Sequence, residues 1–309
     1  MKDLRGKVGV VTGGAGGIGK AIGEAFLAKG MKVVLADVIA DTLDETVAEL
    51  GNDDVIGVAT DVASYDSVCA LRDATVDRFG TVHVIVNNAA VGAGAKGQIW
   101  EHHLNDWKWM IDVNVMGVIH GMNAFVPLLV EQDEGHVVNT SSGNGGFFPL
   151  AASATYPVTK AAVTTLTECL WGQLKEMGSN VGASILFPSP KTPGGVLATG
   201  IWNAGANRPE RYYRDAADAG SKGAPYDALG EYLARAKEAG LEVPIAPLSE
   251  VADLCIEGIE KDVFWATYWG DEQADKLRAR TKSQLERSSP EYLLIQSLMT
   301  RDAEERAKD

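Results

Sequence analysis

Short apolar runs recur through the first two-thirds of the chain, separated by longer stretches with helical spacing. The runs fall at 8–12, 33–36, 55–59, 82–86, 137–140 and 181–187 and are rich in β-branched residues. Between them, sets such as Ala21-Ile22-Ala25-Phe26, Val68-Leu71-Thr75-Val76 and Ala162-Thr165-Leu166-Leu170 lie on single helix faces. Strands that do not alternate apolar with polar residues are covered on both faces, which predicts a parallel sheet between two layers of helices. The expected fold class is α/β, a doubly wound sheet of about seven strands, with ligands at the carboxyl ends of the strands.

The regularity ends near Lys191. Residues 192–247 are rich in Gly, Ala, Pro and Tyr, with a helical stretch at 226–239, and a last strand is expected near 263–268. This predicts a helical substrate lid inserted before the last strand, followed by a charged helical extension over 271–309 that serves as a surface or subunit contact. No composition break marks a linker, so the reading is one domain over 1–309.

The first strand runs into Thr12-Gly13-Gly14-Ala15-Gly16-Gly17-Ile18-Gly19 and then a helical pattern. Glycines there let the backbone approach a phosphate, and the helix start offers N–H groups to it. Gly14, Gly16 and Gly19 fit one dinucleotide spacing, and Gly13, Gly17 and Gly19 another. Asp37 ends the second strand, where a carboxylate can bind the ribose hydroxyls and would repel a 2′-phosphate. Val38, Ile39 and Ala40 follow it without a cation, so NAD is expected rather than NADP, on a Rossmann-type sheet.

Composition narrows the partners. Lys and Arg number 28 and Asp and Glu 42, a formal charge of −14, which disfavours nucleic acid and anionic membranes. The apolar runs are too short to cross a bilayer and the N-terminal residues hold no signal-length apolar segment, so a soluble cytoplasmic protein is expected. Cys69, Cys169 and Cys255 lack metal or disulfide spacing and read as buried reduced thiols. His102 and His103 have no carboxylate cluster beside them and read as solvated loop residues, so no metal is expected.

With these motifs in order, residues from Leu4 to Thr192 resemble the short-chain dehydrogenase/reductase family in its compact form. The carriers are Thr12-Gly13 with Gly17 and Gly19, Asp61-Val62, Asn87-Asn88-Ala89-Ala90, Asn114, and Tyr156 with Lys160, preceded by Ser141-Ser142. Tyr156 and Lys160 are one helical turn apart, so they share a face, and a cation beside the phenol would favour phenolate. The resemblance implies that Tyr156 is the acid/base and that Lys160 lowers its pKa and holds the nicotinamide ribose. It further implies that Ser142 orients the substrate oxygen and that Asn114 supports a proton relay. Gly13, Gly17, Ile18, Gly19, Asp37, Asp61, Val62, Asn88, Ala89, Tyr156, Lys160, Pro188 and Thr192 would line the NAD site, with Asn88 tying strands together behind it. The chain departs from the family pattern in three places. Gly143 stands where the serine usually does, which leaves Ser142 with Ser141 as fallback. Pro188-Ser189 replaces Pro-Gly, and an aromatic run at 264–269 replaces the usual glycines.

Phe147, Phe148 and Trp202 are expected to wall an apolar or aromatic secondary alcohol or ketone together with Ser142, while Trp100, Trp107 and Trp109, on the helical stretch leading to Asn114, pack between helices or subunits. A homo-oligomer, dimer or tetramer, is expected from the family. The competing readings are a non-catalytic NAD-binding sensor or scaffold, and an epimerase or lyase on a related fold.

Overall fold

The computed structural model describes residues 1–92, 98–151, 154–215 and 228–294. Seven strands form one parallel sheet: β1 (Val8–Thr12), β2 (Lys32–Asp37), β3 (Val55–Ala59), β4 (Val84–Asn87), β5 (His136–Thr140), β6 (Gly182–Leu186) and β9 (Trp265–Ala266). Their order is β3-β2-β1-β4-β5-β6-β9, so the winding reverses between β1 and β4. That reversal opens a crevice at the carboxyl ends of β1 and β4, the place where such sheets bind ligands.

Neighbouring residues of one strand serve opposite cores. Val11, Val33, Leu35 and Val86 face α1 (Gly17–Ala28) and α8 (Ser249–Lys261), packing with Ile22, Phe26, Val251, Leu254 and Ile259. Val10, Val34, Ile85 and Val137 face α3 (Tyr65–Phe79), α5 (Gly117–Glu131) and α6 (Thr155–Glu176), against Leu71, Phe125, Leu129 and Leu174. Each fully buried side chain of this kind contributes about 1.5–3 kcal/mol, which is why these strands show no polar alternation. The fourth strand starts later than the 82–86 run and ends on a polar residue. Asn87 stays in the sheet because its side-chain amide donates to Asn139 Oδ1 at 2.8 Å in the paired strand.

Several expectations change. Helix α4 (Leu104–Ile111) passes through a π-turn at Asp112–Met116 into α5, making one helix of 28 residues that holds an 18-residue stretch with a mean hydropathy of 1.6. Length and composition alone would admit a membrane span here, which the short apolar runs did not suggest. Its Val118, Ala124, Phe125 and Leu129 are buried on the sheet, so it is a core helix. Of the cysteines, Cys255 is buried, Cys69 is half-buried and Cys169 is exposed, because Cys169 falls on the outer face of α6.

The lid is less helical than its composition suggests. It contains 3-10 turns at Gly200–Asn207 and Glu210–Tyr212, a helix α7 (Ala228–Glu238), and a small parallel pair, β7 (Val196–Leu197) with β8 (Ile245–Ala246). The extension begins as α9 (Asp271–Glu286), whose Leu277 packs on Phe147, Phe148 and Phe187. Arg280 Nη1 donates to the Phe147 carbonyl at 2.7 Å, so this helix is tied to the body. The remainder of the expected tail, 295–309, and the lid residues 216–227 lie outside the described residues.

Candidate active site

The crevice opens into a cavity of about 360 Å³ that runs along the carboxyl ends of the strands under the lid. At one end β1 turns into α1 through the glycine loop. Gly13 and Gly17 have φ of +68° and +55°, which side chains resist, and a Cβ on Gly19 would collide with the Gly13 carbonyl oxygen. Only a chain of glycines makes this cradle, and it presents the start of α1 to a phosphate. Asp37 stands beside it, its Oδ2 accepting from Ala15 N and its Oδ1 from Ile39 N, each at 3.1 Å. Thr60, Asp61 and Val62, after β3, complete this end. Asn88 ties β4 to β1 at the back: its side-chain amide donates to the Thr12 carbonyl at 2.9 Å, and the Asn88 and Ala89 N–H groups donate to Thr12 Oγ1.

At the other end α6 brings Tyr156 and Lys160 to the cavity wall on one face. Pro157 fits because the first helical turn needs no N–H partner there. Lys160 Nζ donates to the Thr140 carbonyl at 2.8 Å and lies 5.7 Å from the Tyr156 ring centroid. Burial pushes the Lys160 amine down to about 7. Burial likewise pushes the Tyr156 phenol up to about 12, opposed by a hydrogen bond with Ser142. The phenol keeps some surface on the cavity, but the surrounding walls desolvate it. The expected lowering of the Tyr156 pKa by Lys160 is therefore not what the protein alone produces. Desolvation outweighs an ammonium that is itself driven toward neutrality.

The two serines differ in their partners, and of the two it is Ser141 that lines the cavity. Ser141 is buried, with its hydroxyl donating to the Lys160 carbonyl at 3.0 Å and bonded to Thr164 Oγ1 at 2.9 Å. Ser142 is the one whose side chain hydrogen-bonds Tyr156. Gly145, at φ +108°, lets the following loop pass against the Pro157 carbonyl at the start of α6. Asn114 sits in the π-turn with its amide fully used: Oδ1 accepts from Val91 N at 2.8 Å, and Nδ2 donates to the Val91 carbonyl and to Thr159 Oγ1. Asn114 thus fixes the loop after β4 to α6, and π-turns of this kind commonly mark functional sites.

The walls differ from the expected ones. Phe147 and Phe148 are buried away from the cavity, Phe147 stacking on Phe187 at 3.9 Å, because the loop after Ser142 folds back under α9. Trp202 donates its Nε1 to the Leu197 carbonyl at 2.9 Å and packs on Tyr232 in the lid, outside the cavity lining. Thr192 also lies off the cavity, its hydroxyl and N–H both bonded to the Glu250 carboxylate. The walls are instead Val91, Trp109, Val113, Ile201 and Ala204 around Tyr156. Trp109 packs as expected, buried with Met110, Ala204 and Tyr212, and it also lines the cavity, with Arg208 over its ring at 4.5 Å; Trp100, expected to pack likewise, is exposed. Gly13, Gly17, Ile18, Asp37, Asp61, Val62, Asn88, Ala89 and Pro188 line the cavity, with Gly19 beneath the loop. His102 is buried, contrary to expectation, whereas His103 is exposed before α4, its Nδ1 accepting from Asn105 N, as a solvated loop residue would be. Arg211 and Ile201 carried no signal before folding, since nothing in an irregular lid tells which side chain turns inward.

Residues 7–193 match the family model of the short chain dehydrogenases. An uncharacterized oxidoreductase of Staphylococcus aureus is 36% identical over 181 residues, 59% of this chain and 77% of that protein. A short chain dehydrogenase/reductase from Burkholderia phymatum, solved in complex with NAD, is 34% identical with a TM-score of 0.77, over 94% of this chain and 98% of its own. A metagenomic short-chain oxidoreductase in complex with NADP is 28% identical with a TM-score of 0.55, over 60% of this chain and 84% of its own.

Proposed function

This chain belongs to the short chain dehydrogenase family and is an oxidoreductase, and from that premise we propose that it interconverts a secondary alcohol and a ketone with NAD. The observation that carries the reading is the shared cavity, with Tyr156 and Lys160 at one end and Asp37 with the glycine loop at the other. A nicotinamide dinucleotide spans such a distance, and when bound it supplies the hydride acceptor or donor. Gly13, Gly17, Gly19 and the start of α1 suit its pyrophosphate, and Asp37 its adenine-side ribose. Asp37 also repels a 2′-phosphate, which favours NAD, as does the likeness to the NAD-bound Burkholderia protein.

The chain's own residues then handle the proton. Ser142 and Tyr156 are hydrogen-bonded neighbours, so a substrate oxygen can be gripped between the two hydroxyls. With its phenol held neutral, Tyr156 is ready to donate to a ketone oxygen; in the reverse direction it must take the alcohol proton. Lys160, when charged, stabilises that deprotonated phenol, and Asn114 keeps the loop and α6 in register around it. Val91, Trp109, Val113, Ile201 and Ala204 form an apolar wall, which suits a hydrophobic or aromatic substrate rather than a sugar. The same reading takes the protein as a cytoplasmic homo-oligomer, which sedimentation would test.

The direct test is NADH formation across a panel of aliphatic and aryl secondary alcohols, with Tyr156→Phe in parallel. The expected result is turnover by the parent and a loss of 10³-fold or so in the variant, which retains NADH binding. NADH binding with no turnover on any alcohol or ketone would favour the sensor reading instead.

A further inference from the structure

The lid crosses the whole length of the cofactor groove. Thr199 lies over Gly17 at one point, and further along Arg211 Nη2 meets Asp61 Oδ2 at 2.8 Å. Among the described residues, Lys160 and Arg211 are the cations lining the cavity and Asp37 and Asp61 its acids, so each end holds one such cation. Arg211 is half-exposed, yet its position is not loose. Its neighbours on the same turn are both buried: Arg208 pairs with Asp106 at 2.6 Å, and Tyr212 donates its hydroxyl to Asp112 at 2.8 Å. Asn105 Nδ2 adds a bond to the Tyr213 carbonyl at 2.7 Å. The Arg211 guanidinium is further steadied over the Tyr212 ring, 4.8 Å from its centroid. Three anchors on α4 and its π-turn thus deliver one cation to the end of the groove lined by Asp37, Ile39 and Val62.

Resting on the cofactor assignment above, we propose that Arg211, paired with Asp61, is a cofactor-binding residue contributed by the lid. The pair closes the groove over the adenosine half, the flat guanidinium covering the base whose other face meets the apolar side chains of Ile39 and Val62. The element that walls the substrate therefore also retains the dinucleotide, and release of the cofactor requires this part of the lid to lift. An exposed ion pair by itself retains little, but a guanidinium on an aromatic face adds to it.

The test is binding to the full-length protein, read by NADH fluorescence, AMP competition and stopped-flow NADH release. Compared are the parent, Arg211→Ala, Asp61→Asn and, as a distant charge control, Arg278→Ala. Arg211→Ala is expected to weaken NADH and AMP alike by about 3- to 10-fold and to speed NADH release by a similar factor. Nicotinamide mononucleotide binding and the control should be unchanged. Parent-like NADH and AMP binding by a folded Arg211→Ala protein would overturn the proposal. So would a loss confined to NADPH and 2′-AMP, which would make Arg211 a reader of 2′-phosphate. Failure of the parent to bind either dinucleotide would instead sink the cofactor assignment beneath it.

Discussion

Lys160 is buried with a carbonyl, not a carboxylate, on its amine, and both it and Tyr156 are driven toward their neutral forms. This has a signed consequence for stability. Lys160 is depressed in the fold, so the unfolded chain holds more protons between pH about 7 and 10.5, and stability climbs as pH rises through that window. Tyr156 is raised, so between pH 10 and about 12 the fold holds the extra proton and stability falls again. Lys160→Met is expected to abolish turnover while leaving the protein at least as stable as its parent at pH 7, with the climb from pH 7 to 10 flattened. Urea unfolding across that range checks it; an unchanged slope would mean that Lys160 is solvated in the fold. The fit of serine to role was half legible at this scale. Two adjacent serines could be read from the chain, but which one turns to Tyr156 depends on how the end of β5 leaves the sheet, since Ser141 bonds the Lys160 carbonyl and Ser142 the Tyr156 side chain.

At the scale of elements, the π-turn between α4 and α5 widens the helix where Asn114 must reach back to the loop after β4. Three hydrogen bonds from one buried amide hold three elements together there. Asn114→Ala should cost about 2–3 kcal/mol in denaturant unfolding and lower kcat more than it raises KM, because the loop and α6 lose register. Parent-like stability would show that water replaces those bonds. A helical stretch leading to Asn114 was readable, and the strands were readable from their β-branched runs. The π-turn was not, because it arises where an inward side chain must meet a distant loop. The aromatic loop at Phe147-Phe148 was misread for a similar reason: its burial is supplied by α9, more than a hundred residues later.

Across the whole molecule, the lid is held to the body by the Asp106–Arg208 pair, in which both side chains are 3% exposed. Removing one partner strands the other charge in the interior, whereas replacing both with apolar residues relieves that cost. Arg208→Met is therefore expected to lose about 3 kcal/mol of stability and to raise substrate KM, and the double change Asp106→Leu with Arg208→Met to recover most of the stability. Equal losses in the single and double variants, followed by thermal unfolding and kinetics, would mean that the pair is not a coupled anchor. The doubly wound parallel class of the sheet, the glycine cradle, Asp37, and the Tyr156–Lys160 face were determined by the sequence itself, because each follows from a local rule: period, spacing along one helix, or a backbone shape that glycine alone adopts. Tertiary structure alone decided which aromatics wall the cavity, which serine meets Tyr156, how burial sets the proton on Tyr156 and Lys160, and that Arg211 comes to Asp61. Those depend on desolvation and on contacts between residues far apart in the chain, which no local pattern encodes.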